Sequence, residues 1–264
     1  MKDITLGQYI PGDFLLYRLD PRVKIVSTLL FTLALFCTSS FLSYLIILFW
    51  FMVSFWSSGL RLSFVFQGLK GFMGLICVTA LFGVFFTPGT PYFQWGGISV
   101  TYEGMVQGAE IVARFVLLVI GASLLTYTTS PLGLLYGIDI LLRPFRRIGI
   151  PAHELAMMMS IALRFLPIMI EEARKIMDAQ TARGADFAEG NLLRRGRALV
   201  PLLVPLLFSA WKRADELSVA MEARCYHGGE GRTEWRTYRL TKIDYGVLSG
   251  VLALTVLIFG LRWL

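Results

Sequence analysis

Two short segments in the second half of the chain look like copies of each other. Asp178-Ala-Gln-Thr-Ala-Arg183-Gly184 and Val219-Ala-Met-Glu-Ala-Arg224-Cys225 each close a helix-like stretch with Ala-Arg and a small residue. Their arginines lie 41 positions apart. An arginine at such a tip presents a rigid, permanently charged fork of five N–H donors that can grip a carboxylate with two prongs. That chemistry is recognition, and two matched cations suit a partner that itself has two halves. The small neighbours Ala182, Gly184, Ala223 and Cys225 keep bulk away, so a tip can enter a groove. Gly184 suits a left-handed helix stop, and Arg183 sits where the helix dipole favours a cation. Cys225 lacks glycine's freedom at positive φ, so the second tip is expected to leave its helix differently.

Long helices must hold these tips. Pro151 stands at a natural helix start, and the spacing predicts a helix over Ala152–Thr181, very apolar at first and amphipathic in its last third. The second copy runs over Leu199–Arg224. Aligned on the arginines, the copies share Ala173 with Ala214, Ala179 with Ala220 and Ala182 with Ala223, and Pro167 matches Pro205 only loosely. Methionine and alanine on both helices suit close, adaptable packing, or simply fill a core. Ahead of them, Leu134, Leu135, Ile138, Leu141 and Leu142 against Asp139, Arg143, Arg146 and Arg147 form an amphipathic stretch suited to the membrane surface. The run Ile150–Ile170 has the length of a span, but it contains His153, Glu154, Arg164 and Pro167. A crossing there would need a return through the 13 residues of Ala198–Ala210, which hold Pro201 and Pro205 and are too few to span. Helices lying along or just below the membrane interface fit better.

Apolar residues make up 56% of the 264 residues, with 20 Phe, and the mean hydropathy is +0.64. The charge is segregated from long apolar blocks, and a bilayer core takes about 20 apolar residues per helix. Val23–Ser40, Phe41–Ser58, Phe64–Phe86, Met105–Thr129 and Tyr245–Leu264 approach or meet that length and do not alternate as barrel strands do. The expected fold is an all-α integral membrane protein of about five transmembrane helices plus long cytoplasmic or interfacial coupling helices. Its parts are an N-terminal arm (1–22), four spans (23–130), a coupling-helix region (131–243) and a C-terminal span (244–264). A tight hairpin at Ser39-Ser40 separates the first two spans, and no cleavable signal peptide is expected.

Lysine and arginine set the orientation. Lys2, Arg18, Arg22 and Lys24 precede the first span, Arg61 and Lys70 follow the second, and 131–243 holds 17 of the 25 basic residues, whereas Ser39–Ser43 and Thr87–Gly104 hold none. This alternation puts the N-terminus and 131–243 in the cytoplasm and the C-terminus outside a cell (plasma) membrane. The net charge of +7 is therefore a topology signal. No aromatic-basic surface motif accompanies it, and no nucleic-acid partner is expected. Cys37, Cys77 and Cys225 form no disulfide framework. Glu110 and Arg114, spaced i, i+4, read as a self-neutralising bridge near the outer end of the fourth span. Asp20 and Arg22 flank Pro21 and read as pins from the N-terminal arm to the 131–243 region, and Asp244 as a helix-start charge. The Gly-x-x-x-Gly pairs 104/108, 133/137 and 246/250 permit close helix approach, although with 25 glycines chance matches are expected. His153 and His227 are too few for a metal site. No phosphate-binding Gly-x-x-x-x-Gly-Lys-Ser/Thr loop, Gly-x-Ser-x-Gly or His-Glu-x-x-His occurs, and nothing pairs a nucleophile with a base, so an enzyme is not expected.

These residues resemble the transmembrane (T) component of energy-coupling factor transporters. That family carries two cytoplasmic coupling helices ending in Ala-Arg-Gly. Ala182-Arg183-Gly184 matches in full, and Ala223-Arg224-Cys225 in two of three. The opening is similar as well: Gly7-Gln-Tyr9-Ile-Pro11-Gly12, then Leu19-Asp20-Pro21-Arg22-Val-Lys24 before the first span. The resemblance covers essentially the whole chain and is nearest the shared, generic T components, with the dedicated cobalt and nickel importers as the close alternative. It implies a non-catalytic subunit that bridges two ABC-type ATPases to a substrate-binding S component for uptake of vitamins or other micronutrients. It further implies no cofactor on this chain, with ATP and Mg held by the ATPases, whose grooves the two arginines enter. A stand-alone secondary transporter would show charges at span midpoints and inverted repeats of broken helices; the spans here are nearly free of charge.

Overall fold

In the computed structural model, residues 9–10, 12–38, 40–95, 98–148, 151–185, 192–228 and 240–263 are described. The chain divides into two compact units, Met1–Gly137 with Tyr238–Leu264, and Ile138–Thr237. The first holds α1 (Leu15–Arg18), α2 (Pro21–Cys37), α3 (Phe41–Ser58), α4 (Leu62–Phe86), α5 (Tyr102–Thr128) and α9 (Lys242–Trp263). The unit boundary falls inside α6 (Pro131–Leu142), and the second unit continues with a 3-10 turn (Arg143–Ile148), α7 (Ala152–Ala182) and α8 (Leu192–Ala223). The architecture is that of an all-α membrane protein. Three described helices are long and apolar enough to cross a bilayer: Phe66–Phe86, Tyr102–Thr128 and Lys242–Arg262. The helices of the first two predicted spans form but are shorter, at 17 and 18 residues. At 1.5 Å per residue the first reaches only about 26 Å.

Local chemistry sets the helix ends. Asp20 caps α2, its carboxylate accepting from the Arg22 N–H at 2.9 Å, with Pro21 in the first turn. Thr101 caps α5 by accepting from the Gly104 N–H at 3.1 Å. Gly59 ends α3 at φ +61°, where an added Cβ would strike the Phe14 ring. Helix α2 ends at Cys37 and α3 starts at Phe41; of the expected Ser39-Ser40 turn, Ser39 lies outside the described residues. A short antiparallel pair of strands, β1 (Pro91–Trp95) and β2 (Ile98–Thr101), occupies the non-basic loop before α5, an element the sequence reading did not anticipate.

Phe31, Ala34, Leu35, Ile47, Leu117, Leu254 and Ile258 form the main core where α2, α3, α5 and α9 meet. Leu69, Ile76 and Ile120 form a second between α4 and α5. Gly108 lets these two helices approach closely, because a Cβ there would sit 2.7 Å from Val84 Cγ2. The outer faces of α3 and α4 leave Phe49, Trp56, Phe66 and Phe86 exposed, as a lipid-facing surface requires.

The N-terminal motif knots one end of this bundle. Asp20, buried, holds Arg22 through both carboxylate oxygens. Its backbone N–H donates to Asp244 Oδ1 at 2.9 Å, and Asp244 Oδ2 also accepts the Thr241 N–H at 2.8 Å, closing the first turn of α9. Lys24 Nζ donates to the Thr128 carbonyl at the end of α5, at 2.9 Å. Asp20 is thus joined to the last membrane helix, whereas the sequence reading sought its partner in the 131–243 region. A buried carboxylate takes whichever N–H donors packing brings to it; here the carboxylate is that of Asp244, and packing brings it the Asp20 N–H. Arg114 likewise departs from its expected Glu110 bridge: its guanidinium donates to the Thr38 carbonyl at 3.2 Å and Tyr44 Oη at 3.0 Å, stitching α5 to the α2–α3 turn. Gly12 lies against the Tyr17 ring, and Pro11 lies outside the described residues.

Candidate functional site

Helix α7 ends at Ala182 and α8 at Ala223, each one residue before its motif arginine. The two ends are built alike. After α7, the Gly184 N–H donates to the Thr181 carbonyl at 2.9 Å and the Ala185 N–H to the Gln180 carbonyl at 2.9 Å, with Gly184 at φ +87°. After α8, the Cys225 N–H donates to the Glu222 carbonyl at 2.9 Å and the Tyr226 N–H to the Met221 carbonyl at 3.1 Å, with Cys225 at φ +57°. This is the same left-handed stop, in which two reaching N–H groups satisfy the last orphan carbonyls. Cys225 therefore does not send the second tip out differently, because the two hydrogen bonds hold it in the conformation that glycine takes freely. His227 Nδ1 lies 2.8 Å from the Cys225 carbonyl on the far side of this turn. Arg183 and Arg224 are both exposed. Among the described residues neither guanidinium bonds back to its own helix, so both forks face outward.

Both helices run on past internal prolines, Pro167 in α7 and Pro201 and Pro205 in α8. Helix α8 begins seven residues ahead of the predicted Leu199, so the prolines fall within it rather than near its start. At 31 and 32 residues the two helices are each about 47 Å long. Neither meets the length-and-apolarity standard for a span among the described residues. They meet at a polar contact. Glu172 on α7 accepts from Arg213 on α8 at 3.0 Å through one oxygen and from the Ser209 hydroxyl through the other. These donors, Ser209 first and then Arg213, hold the Glu172 carboxyl below the ordinary carboxylate range. Beside this contact, Ile161, Phe165 and Met169 of α7 line a cavity of about 490 Å³ with Ala214, Leu217 and Met221 of α8. The N-terminal half of one helix thus lies along the C-terminal half of the other, and the two arginine tips leave the contact in opposite directions.

Sequence reasoning missed two features of this pair. The first is a stripe on α8: Val200, Leu203, Val204, Leu207, Phe208 and Trp211 are all exposed. Their spacing of three and four residues is the amphipathic helix signal, masked in the sequence by the two prolines. The second is Glu172–Arg213. The signal was present, because Glu171-Glu172-Ala173-Arg174-Lys175 and Lys212-Arg213-Ala214-Asp215-Glu216 lie at the repeat's own offset of 41 with every charge reversed. The described residues contain no cluster of three or more His, Cys, Asp or Glu side chains that could hold a metal ion.

The family model for CbiQ, described as a cobalt transport protein, matches residues 12–235. A protein of Thermosediminibacter oceani named energy-coupling factor transporter transmembrane protein EcfT is 47% identical over the full length of both chains. The chain belongs to the CbiQ/EcfT family of transporter membrane components. EcfT proteins of Clostridium kluyveri, 48% identical over 93% of this chain and 92% of the relative, and of Heliobacterium modesticaldum, 47% identical over 98% and 97%, are similarly close. Membership of the EcfT family agrees with the resemblance carried by the tip and opening motifs.

Proposed function

We propose that this chain is the coupling subunit of an energy-coupling factor importer, carrying the motion of two ABC-type ATPases to a substrate-binding S component in a cell membrane. The observation that carries this reading is the pair of like-built helix ends, each presenting an exposed arginine with no partner among the described residues, at opposite ends of one helix pair. Two equivalent sockets on an ATPase dimer match two equivalent cations. ATP and Mg are held by those ATPases, and this chain supplies no catalytic group. The exposed stripe from Val200 to Trp211 is the apolar surface that the S component or the bilayer covers, since soluble surfaces rarely leave such a stripe bare. The N-terminus and residues 131–243 lie in the cytoplasm with the ATPases, and the C-terminus outside.

The test is copurification. Detergent-solubilised protein retains its ATPase subunits, and Arg183→Ala with Arg224→Ala releases them. Truncating a desolvated arginine costs about 2–5 kcal/mol, which is upward of about 30-fold in affinity. Retention of the ATPases at wild-type affinity by the double variant would refute the docking role. The cargo reading favoured by the tip and opening motifs is a vitamin or similar micronutrient delivered by a shared T component. The family description as a cobalt transport protein supports a dedicated metal-ion importer as the second reading. The cargo of the copurifying S component separates the two.

A further inference from the structure

The repeat that relates the two tips also relates the two residues that join the helices. Glu172 and Arg213 stand at the same offset of 41 as Arg183 and Arg224, and they are 3.0 Å apart. Arg183 lies eleven residues beyond Glu172, and Arg224 eleven beyond Arg213. Each tip therefore extends about 16 Å past the contact, on opposite sides. The contact also differs in kind from its surroundings. Glu172 takes a charged and a hydroxyl donor on its two oxygens, and such bonds are directional. The flanking residues Met169, Ala214, Leu217 and Met221 pack without directional preference and adapt as they slide.

We propose that Glu172, with Ser209 and Arg213, is the pivot of the α7–α8 pair: a positioning contact that fixes one point while both arginine tips swing. This rests on the coupling reading and adds the point about which the levers turn. With arms of equal length, one change in crossing angle moves both tips alike, roughly 3 Å for a 10° rotation. A two-fold ATPase dimer then loads both arms equally. Were the contact placed off-centre, the same closure would strain one socket and leave the other slack.

The experiment uses the whole complex, this chain with its copurified ATPases and S component, reconstituted in proteoliposomes. ATPase retention, ATP hydrolysis and uptake per ATP hydrolysed are read together. Glu172→Gln and Arg213→Gln are expected to retain wild-type ATPase and to lower uptake per ATP roughly fivefold, the scale of a directly coupled pair. The reversed pair, Glu172→Arg with Arg213→Glu, recovers most of it, which a bulk structural defect would not. Lys212→Gln alters the exposed neighbouring Lys212–Glu216 pair and leaves uptake per ATP unchanged. The proposal is overturned if the single variants transport as wild type. It is equally overturned if they lose ATPase and uptake in the same proportion, as a mere brace would, or if the reversed pair is no better than the singles. Failure of the wild-type chain to retain any ATPase would instead sink the coupling reading, and the pivot with it.

Discussion

At the residue scale, Cys225 shows how local hydrogen bonds override a side chain's preference. A non-glycine residue pays roughly 1–2 kcal/mol for the left-handed region, yet the Cys225 and Tyr226 N–H groups find the Glu222 and Met221 carbonyls only if it is adopted. Replacing Cys225 by Gly should raise the thermal midpoint of the solubilised protein, a gain of about 0.5–1 kcal/mol after glycine's extra chain entropy, without weakening ATPase retention. Gly184→Val should lose at least as much; the space around Gly184 is open, so the penalty is conformational. Equal melting of wild type and both variants would mean that the left-handed stops carry no strain. The opening motif is readable at this scale only in part. Asp20 before Pro21 announces a capped helix, but its bond to Asp244 joins residues 224 positions apart, which no local pattern encodes.

At the element scale, the α7–α8 contact has a defined pH response. The Glu172 carboxyl is lowered from its ordinary value of 4.5 by Ser209 and Arg213. A depressed carboxyl contributes stability that is fully present above its unfolded value and is lost as pH falls through the folded one. The helix pair should therefore loosen below about pH 4.5, and Glu172→Gln should flatten that part of the profile. Melting curves taken between pH 6 and 3 check this, and parallel losses in both proteins would count against it. Between α4 and α5 the contact is steric. Gly108→Leu places atoms where Val84 Cγ2 and the Ala80 carbonyl stand, so overpacking should cost about 1–3 kcal/mol. A lowered melting temperature is the expected readout, and wild-type melting would show that the helices can part freely. Helix α8 was underestimated in the sequence because Pro201 and Pro205 usually break helices. A proline removes only one donor each time, and the helix continues through both.

For the whole molecule, the decisive property is which side of the membrane the tips occupy. Cys225 is exposed beside Arg224, and it provides a native probe. With Cys37 and Cys77 changed to serine, a membrane-impermeant maleimide should label Cys225 in inside-out vesicles stripped of peripheral subunits and not in intact cells. Labelling of intact cells would place residues 131–243 outside and remove the ATPases from reach. The expected five spans all form helices, but among the described residues three have full spanning length. The short α2 and α3 meet α5 and α9 in the main core, so packing against longer helices fixes their place as much as their own apolar length does.

Membership in the membrane class, the segregation of charge, the two arginine tips and the capped start of the first helix were all legible in the sequence. Each depends on composition or on residues close along the chain, where helical periodicity and capping act. Tertiary structure alone decided the partners of Asp20 and Arg114 and the meeting of Glu172 with Arg213. Those depend on where separate helices come to rest. The charge-reversed segments had written half of that last contact into the chain, but only folding α7 back along α8 turned an offset of 41 into a distance of 3.0 Å.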